Sequence, residues 1–250
     1  MSVTKPWHED DAFWETWMPF MFSPHLMSVA PKQVDEILTL IKIPSGAHVL
    51  DLACGAGRHS LDLVRRGFHV TGVDRTSVYL KAAGEQARKE GLNMEFVHQD
   101  MRDFYRPGEF DAAINMSTSF GYFEDPRDDA LVMNNICRSL KRGGVFLLET
   151  VGKEVLARIY QARDWNEMDG VYMLQERRVT HNWSRMENRW ILFKGGRRFE
   201  SSLDHRLFSA TELVALFVES GFVRVEAFGG TDGTPYDNNA KRLVVVGHKE

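Results

Sequence analysis

The stretch Val49–Ser60, VLDLACGAGRHS, changes character abruptly. Val49, Leu50 and Leu52 read as a buried strand. Ala53-Cys54-Gly55-Ala56-Gly57 has almost no side-chain bulk, and Arg58 opens a short helical pattern that runs to Arg66 and stops at Gly67. Strand, bare turn and helix in that order form the repeating unit of an open α/β sheet, in which ligands sit beyond the carboxyl ends of the strands. A turn without bulk lets a ligand approach the backbone closely.

The pattern continues outward. FHVTGVD (68–74), MEFVHQD (94–100), FDAAINM (110–116) and VFLLET (145–150) read as further buried strands, with helices over Ser77–Glu90 and Pro126–Leu140. Apolar runs alternating with helices mean a mainly parallel sheet covered on both faces. After Thr150 the pattern changes. A helix over Glu154–Ala162 precedes strand-like runs at Val171–Trp183, Asn188–Lys194 and Arg197–Leu207, with a hairpin signal at Lys194-Gly195-Gly196-Arg197. A helix over Ser209–Ser220 follows, then strands at Phe222–Phe228 and Arg242–His248 whose short connection permits an antiparallel pair. At the other end, residues 10–27 are rich in aromatics and Met until Pro19 and Pro24 interrupt them, and Pro31 opens an amphipathic helix carrying Val34, Ile37, Leu38 and Ile41. The expected organisation is an N-terminal helical lid (1–30), a ligand-binding core (31–150 and 209–250) and an antiparallel insert (151–208).

Composition sets limits. In 250 residues, 43% are hydrophobic and 26% charged, and the net charge is −4, so there is no global basic field to draw in nucleic acid. The insert carries eleven Lys/Arg against eight Asp/Glu, which suits either an acidic substrate or a solvated sheet face. Cys54 and Cys137 make no disulfide framework. No secretory leader pattern or 18-residue apolar run is present, so a cytoplasmic protein is expected. No metal-ligand spacing is found.

Two cofactor classes use a strand–glycine–helix turn: dinucleotides and S-adenosylmethionine. A dinucleotide fingerprint wants Gly or Ala where Ser60 stands, and Asp51 just before the turn repels a pyrophosphate. The same carboxylate suits an ammonium, which S-adenosylmethionine has. Asp74 ends the second strand, where the two oxygens of a carboxylate can accept from both ribose hydroxyls. Asp100 and Met101 end the third, a carboxylate for an adenine amino group and an apolar side chain for its ring.

VLDLACGAGRHSLDL, VTGVD, VHQDMRDF and FDAAINMSTSFGYF resemble the successive signature segments of class I S-adenosylmethionine-dependent methyltransferases. The resemblance implies a Rossmann-like α/β sheet of seven strands, mostly parallel with the last antiparallel, helices on both faces and an antiparallel β insert after the fifth strand. It implies that Asp51, Ala53, Gly55 and Gly57 line the methionine end, that Asp74 lies at the ribose and Asp100 and Met101 at the adenine, that Asn115 or Met116 floors the sulfonium, and that Cys54 and Arg75 also belong to the cofactor site. Arg58 suits the cofactor carboxylate or a solvated helix start.

Methyl transfer is an in-line displacement, so the protein mainly positions the reactants and excludes water, and a base is needed only if the acceptor must lose a proton. Tyr122 is expected over the methyl. His205 alternates with Phe199, Leu203 and Leu207 on a face that is core or cleft, and His181 with Val179 and Trp183. Glu149 ends the fifth strand, where it suits a substrate amine, and Tyr236 is expected on the same sheet edge. Trp14, Trp17 and Phe20 are expected to touch ligand from the lid. The favoured function is methylation of N or O on a small molecule. RNA or protein methylation, and a non-catalytic cofactor-binding module, are the alternatives.

Overall fold

The computed structural model describes residues 5–168 and 170–250, so residues 1–4 of the expected lid and Asp169 of the insert lie outside the described residues. Seven strands form the main sheet: β1 (His48–Leu52), β2 (His69–Asp74), β3 (Glu95–His98), β4 (Phe110–Asn115), β5 (Leu140–Thr150), β10 (Phe222–Phe228) and β11 (Leu243–Lys249). Their order is β10-β11-β5-β4-β1-β2-β3. All neighbours from β5 to β3 are parallel, and β11 runs antiparallel to both β5 and β10. The order reverses between β1 and β4, which places the topological switch at the tip of the Val49 strand.

The two faces are covered differently. Val34, Ile37 and Ile41 of α2 (Pro24–Ile41) and Leu63 of α3 (Arg58–Arg65) pack on Val49, Ile114 and Leu147. Val132 and Met133 of α5 (Pro126–Ser139), with Leu213 and Phe217 of α7 (Ala210–Glu219), pack on Leu50, Phe146 and Leu148. The expected helix start at Pro31 is corrected. α2 begins at Pro24 behind the Ser23 cap, and Pro31 lies inside it. The hydrogen bond Pro31 cannot donate would have gone to Met27, whose exposed position leaves that carbonyl to water.

The insert follows α6 (Lys153–Ile159) and is a four-stranded antiparallel sheet in the order β6-β7-β8-β9. β7 (Val171–Thr180), β8 (Arg185–Lys194) and β9 (Arg197–Arg206) match the expected runs. β6 (Arg163–Met168) was not expected, because as an edge strand bearing Arg163, Asp164 and Glu167 it shows no apolar alternation. His181 is not on a strand. It and Asn182 and Trp183 all adopt positive φ in the β7–β8 turn. The outer face of the insert pairs its charges internally: Arg178 with Glu187 at 2.6 Å, and Arg189 with Glu176 at 2.8 Å and Glu200 at 2.6 Å. The arginine excess is therefore spent largely in a solvated ladder.

β9 is fastened to the core at its end. Arg206 Nε donates to Asp129 Oδ2 at 2.7 Å, and its backbone N–H donates to the Gly121 carbonyl. Asp129 is 2% exposed and burial lifts its carboxyl to about pKa 6, against the pull of Arg206. Arg206→Met leaves that carboxylate buried without its partner. The expected loss is about 3 kcal/mol near neutral pH, read by urea unfolding. The loss should shrink below pH 5, where the carboxyl is neutral. Among the described residues no helix is long and apolar enough to cross a membrane.

Candidate active site

A cavity of about 590 Å³ lies over the carboxyl tips of the parallel strands. Its floor is the strand-tip residues of the main sheet. Its roof is the N-terminal segment and the inner face of the insert. α1 (Asp11–Met21) packs between Tyr79 of α4 (Ser77–Glu90) and Met173, Leu192 and Leu203 of the insert. A short 3-10 turn, Trp7–Glu9, precedes α1.

The opening turn works by conformation as well as by lack of bulk. Ala53, Gly55 and Gly57 take φ of 60°, 57° and 79°, a region that residues with a Cβ enter at a cost. Ala53, Cys54 and Gly55 line the cavity. A Cβ on Gly55 would lie 2.5 Å from Phe22 Cζ, so part of the bare surface is met by the protein's own roof. Gly57 does not line the cavity. It sits at the start of α3, where a Cβ would press on Ala83 of α4 at 3.1 Å, so its bareness serves helix packing.

The three acids surround the same space but are held differently. Asp51 is buried and accepts from Ser60 Oγ at 2.5 Å. Burial pushes its carboxyl up to about pKa 7; the Ser60 hydrogen bond and Arg58 oppose this, while Asp74 adds to it. A carboxylate so poorly served by its surroundings has room for a cation. Asp74 Oδ2 accepts from the Gly55 N–H and Oδ1 from the Thr76 N–H, each at 2.8 Å. Asp74 thus sets the turn, and each oxygen keeps a second acceptor site. Burial raises its pKa despite these bonds. Asp100 is engaged by Arg102 through the backbone N–H and the guanidinium at 2.9–3.0 Å. Burial would raise its pKa, but those bonds outweigh it and the net shift is downward.

Arg75 and Arg102, which follow these acids closely, hold the roof. Arg75 donates to the carbonyls of His8 (2.7 Å) and Glu9 (3.2 Å), and Arg102 pairs with the Glu9 carboxylate at 2.8 Å. Arg75 lines the cavity with its guanidinium committed to this clasp.

At the other end, Arg58 is buried and donates to Ser117 Oγ. Burial lowers its pKa while Glu149 and Asp51 raise it. Glu149, expected to meet a substrate amine, lines the cavity but is already served by the Ser117 N–H at 2.6 Å and by Arg242 Nε. Arg242 also donates to Thr118 Oγ1 at 2.8 Å. Ser117 and Thr118 both have positive φ (64° and 60°), and backbone strain of this kind concentrates at functional sites.

The remaining expected residues divide. Met101, Met116, Tyr122, His205 and Trp14 line the cavity. Asn115 does not. It is fully buried behind the wall, where its Nδ2 donates to the Leu52 carbonyl at 2.9 Å and ties β4 to β1. Trp17 is also fully buried away from the cavity. Its Nε1 donates to Ser201 Oγ at 3.0 Å and its ring meets Trp190. Phe20 packs beside Trp17 and stays outside the cavity. Tyr236 turns away from the site to donate to Glu154 Oε2 at 2.8 Å, because its loop folds back over α6. His205 is 9% exposed, and burial with the nearby Arg185 lowers its pKa to about 4, so its imidazole is neutral at physiological pH.

Several lining residues escaped the sequence reading: Trp7, His8, Tyr79, Trp190 and Arg242. The Trp7 ring meets Tyr122 at 4.8 Å and its Nε1 donates to the Asp204 carbonyl, bridging core and insert. The PWHE segment just before the aromatic run was the available signal.

A family model described as a methyltransferase domain matches residues 49–144. The candidate methyltransferase YqeM of Bacillus subtilis is 27% identical over 208 residues, covering 79% of this chain and 82% of that protein. The ubiquinone biosynthesis O-methyltransferase of Xylella fastidiosa is 29% identical over 143 residues, and the match spans just over half of each chain, 56%. An S-adenosylmethionine-dependent methyltransferase from Clostridium acetobutylicum superposes with a TM-score of 0.79 at 17% identity, covering 96% of this chain and 98% of that one. The glycine turn at the switch point, the reversed last strand and the match over residues 49–144 together identify a methyltransferase domain on the Rossmann-like methyltransferase fold.

Proposed function

We propose that this chain transfers a methyl group from S-adenosylmethionine to an N or O atom of a small molecule held beneath the N-terminal roof. The observation that carries this reading is that Asp51, Asp74 and Asp100 border one roofed cavity together with the glycine turn. Asp51 takes the ammonium, Asp74 the ribose, Met101 the adenine ring, and Arg58 the carboxylate. Asp100 reaches the adenine only by sharing its oxygens with Arg102. The bound cofactor supplies a methyl group already activated on sulfonium.

The chain's own residues then have two tasks. The roof excludes water and fixes the approach of the acceptor, and such positioning is worth roughly 7–11 kcal/mol in favourable cases. His205 and Tyr122, with His8 lining the same cavity, are the groups proposed to receive or orient an acceptor proton. The roofed cavity favours a small acceptor over RNA, and no arginine of the insert lines it.

Calorimetric titration with S-adenosylmethionine tests the cofactor half: a saturable heat is expected, and no heat at millimolar ligand would refute it. Methyl-labelled cofactor with a metabolite extract tests the transfer. A transferase moves label to a small molecule, whereas a binding module moves none.

A further inference from the structure

The roof differs in kind from the floor. Among the described residues, all seven charged ones that line the cavity, including Asp51, Asp74, Glu149 and Arg242, belong to the strand tips and loops of the main sheet or to the start of α3. Among the described residues the N-terminal segment, α2 and the insert contribute ten lining residues, and none of these is Asp, Glu, Lys or Arg. Those in or nearest the insert are Trp7, Trp14, Trp190, Leu203 and His205, with the Tyr122 ring packed on Trp7 at 4.8 Å. The arginines flanking His205 are committed elsewhere: Arg185 to Asp204 at 2.6 Å and Arg206 to Asp129 at 2.7 Å.

Each common acceptor class meets this wall differently. An aliphatic amine arrives as an ammonium and needs a carboxylate free to counter its charge, yet the charge of Glu149 is already met by Arg242, with the Ser117 N–H on its other oxygen. A phosphorylated acceptor needs a free cation, which the roof lacks. An aliphatic hydroxyl enters uncharged, but it brings no ring to lie against the aromatic wall. A phenol enters uncharged, is flat enough to lie against indole and tyrosine rings, and carries a proton an imidazole can take. Resting on the methyl-transfer reading above, we infer that the acceptor is a planar phenol bound against the Trp/Tyr wall, and that His205 receives its hydroxyl proton.

The step balances. A lone pair of the phenol oxygen forms the O–CH₃ bond as the S–CH₃ bond breaks and leaves its pair on sulfur, and the O–H proton passes to the imidazole. Burial makes an imidazolium unfavourable here, but it forms as the sulfonium charge vanishes, so the net charge of the cavity does not change. The His205 ring makes no hydrogen bond to another described residue. The charged groups around it are Arg185, which disfavours its protonation, and Asp204, which favours it. Tyr122 and His8 face the same cavity.

The test uses the full chain, methyl-labelled S-adenosylmethionine and matched acceptors: mono- and bicyclic phenols such as 2-naphthol, the corresponding arylmethylamines and the arylmethanols. O-methylation of phenols is expected at a kcat/KM at least about 100-fold above that for the amines. His205→Gln should lower kcat/KM on 2-naphthol about 10²–10³-fold at pH 7, with cofactor affinity unchanged. Activity on 2,4-dinitrophenol, which is already ionised at pH 7, should be largely retained. Preference for the amines overturns the inference, as does equal damage by His205→Gln on both phenols. So does bound cofactor with no phenol methylated, an outcome that leaves the methyltransferase reading standing. A chain that binds no cofactor overturns that reading as well.

Discussion

Asp74→Ala should weaken S-adenosylmethionine binding by at least about 10²-fold in calorimetric titration. Two effects act together. The substitution removes the proposed ribose acceptor, and it strips the Gly55 and Thr76 N–H groups of their partners at 2.8 Å. A buried donor left unsatisfied costs about 1–3 kcal/mol, so the turn relaxes from the shape that lines the cavity. Asp74→Asn should recover only part of the loss, because its amide oxygen accepts from one of the two donors while its NH₂ confronts the other. An affinity within tenfold of the parent would remove Asp74 from the cofactor site.

Cofactor affinity should also fall about 100-fold between pH 8 and pH 5. The Asp51 carboxyl titrates near pH 7 in the free protein, raised chiefly by burial, and an ammonium ligand needs it ionised. Each pH unit below that value then costs about tenfold in affinity. Stability of the ligand-free fold should move the other way. The folded carboxyl sits above its ordinary value of 3.8, so between about pH 4 and pH 7 the native state binds more protons than the unfolded chain. Asp51 therefore withdraws stability as the pH rises through that window. Melting temperatures with and without ligand across pH 4–8 should converge toward acid and diverge toward neutrality. Asp51→Asn should flatten both curves. A pH-independent affinity in the parent would show that Asp51 does not meet the charged amine.

The residues legible in sequence were those whose positions follow from the strand pattern alone. A residue at the carboxyl tip of a parallel strand must lie at one edge of the sheet, so Asp51, Asp74, Asp100 and Glu149 could be placed near the site without any knowledge of packing. What they bond to could not be read. Glu149 meets Arg242, 93 residues away, and Asp100 meets Arg102, which reaches back to Glu9. The roof was less legible still. Trp14 and Trp17 are equally aromatic and three residues apart, yet one lines the cavity and the other is sealed against the insert sheet. Helix phase relative to two distant partners decides that, and nothing local encodes it. Pro31 looked like a helix start, and only the exposed Met27 one turn earlier explains why the helix runs through it. Tyr236 misled because a loop's anchor, here Glu154, is not given by its composition.

Arg75 and Arg102 give the two ends of the chain's first hundred residues a common fate. Each guanidinium grows from a strand tip beside an acid proposed to meet the nucleoside, and each fastens the segment that closes the space above it. A rearrangement that admits the nucleoside by lifting Trp7–Glu9 undoes bonds to the very tips that receive it. Access and recognition become one event, and departure of the spent cofactor should be slowed by the same clasps that shield the reaction from water.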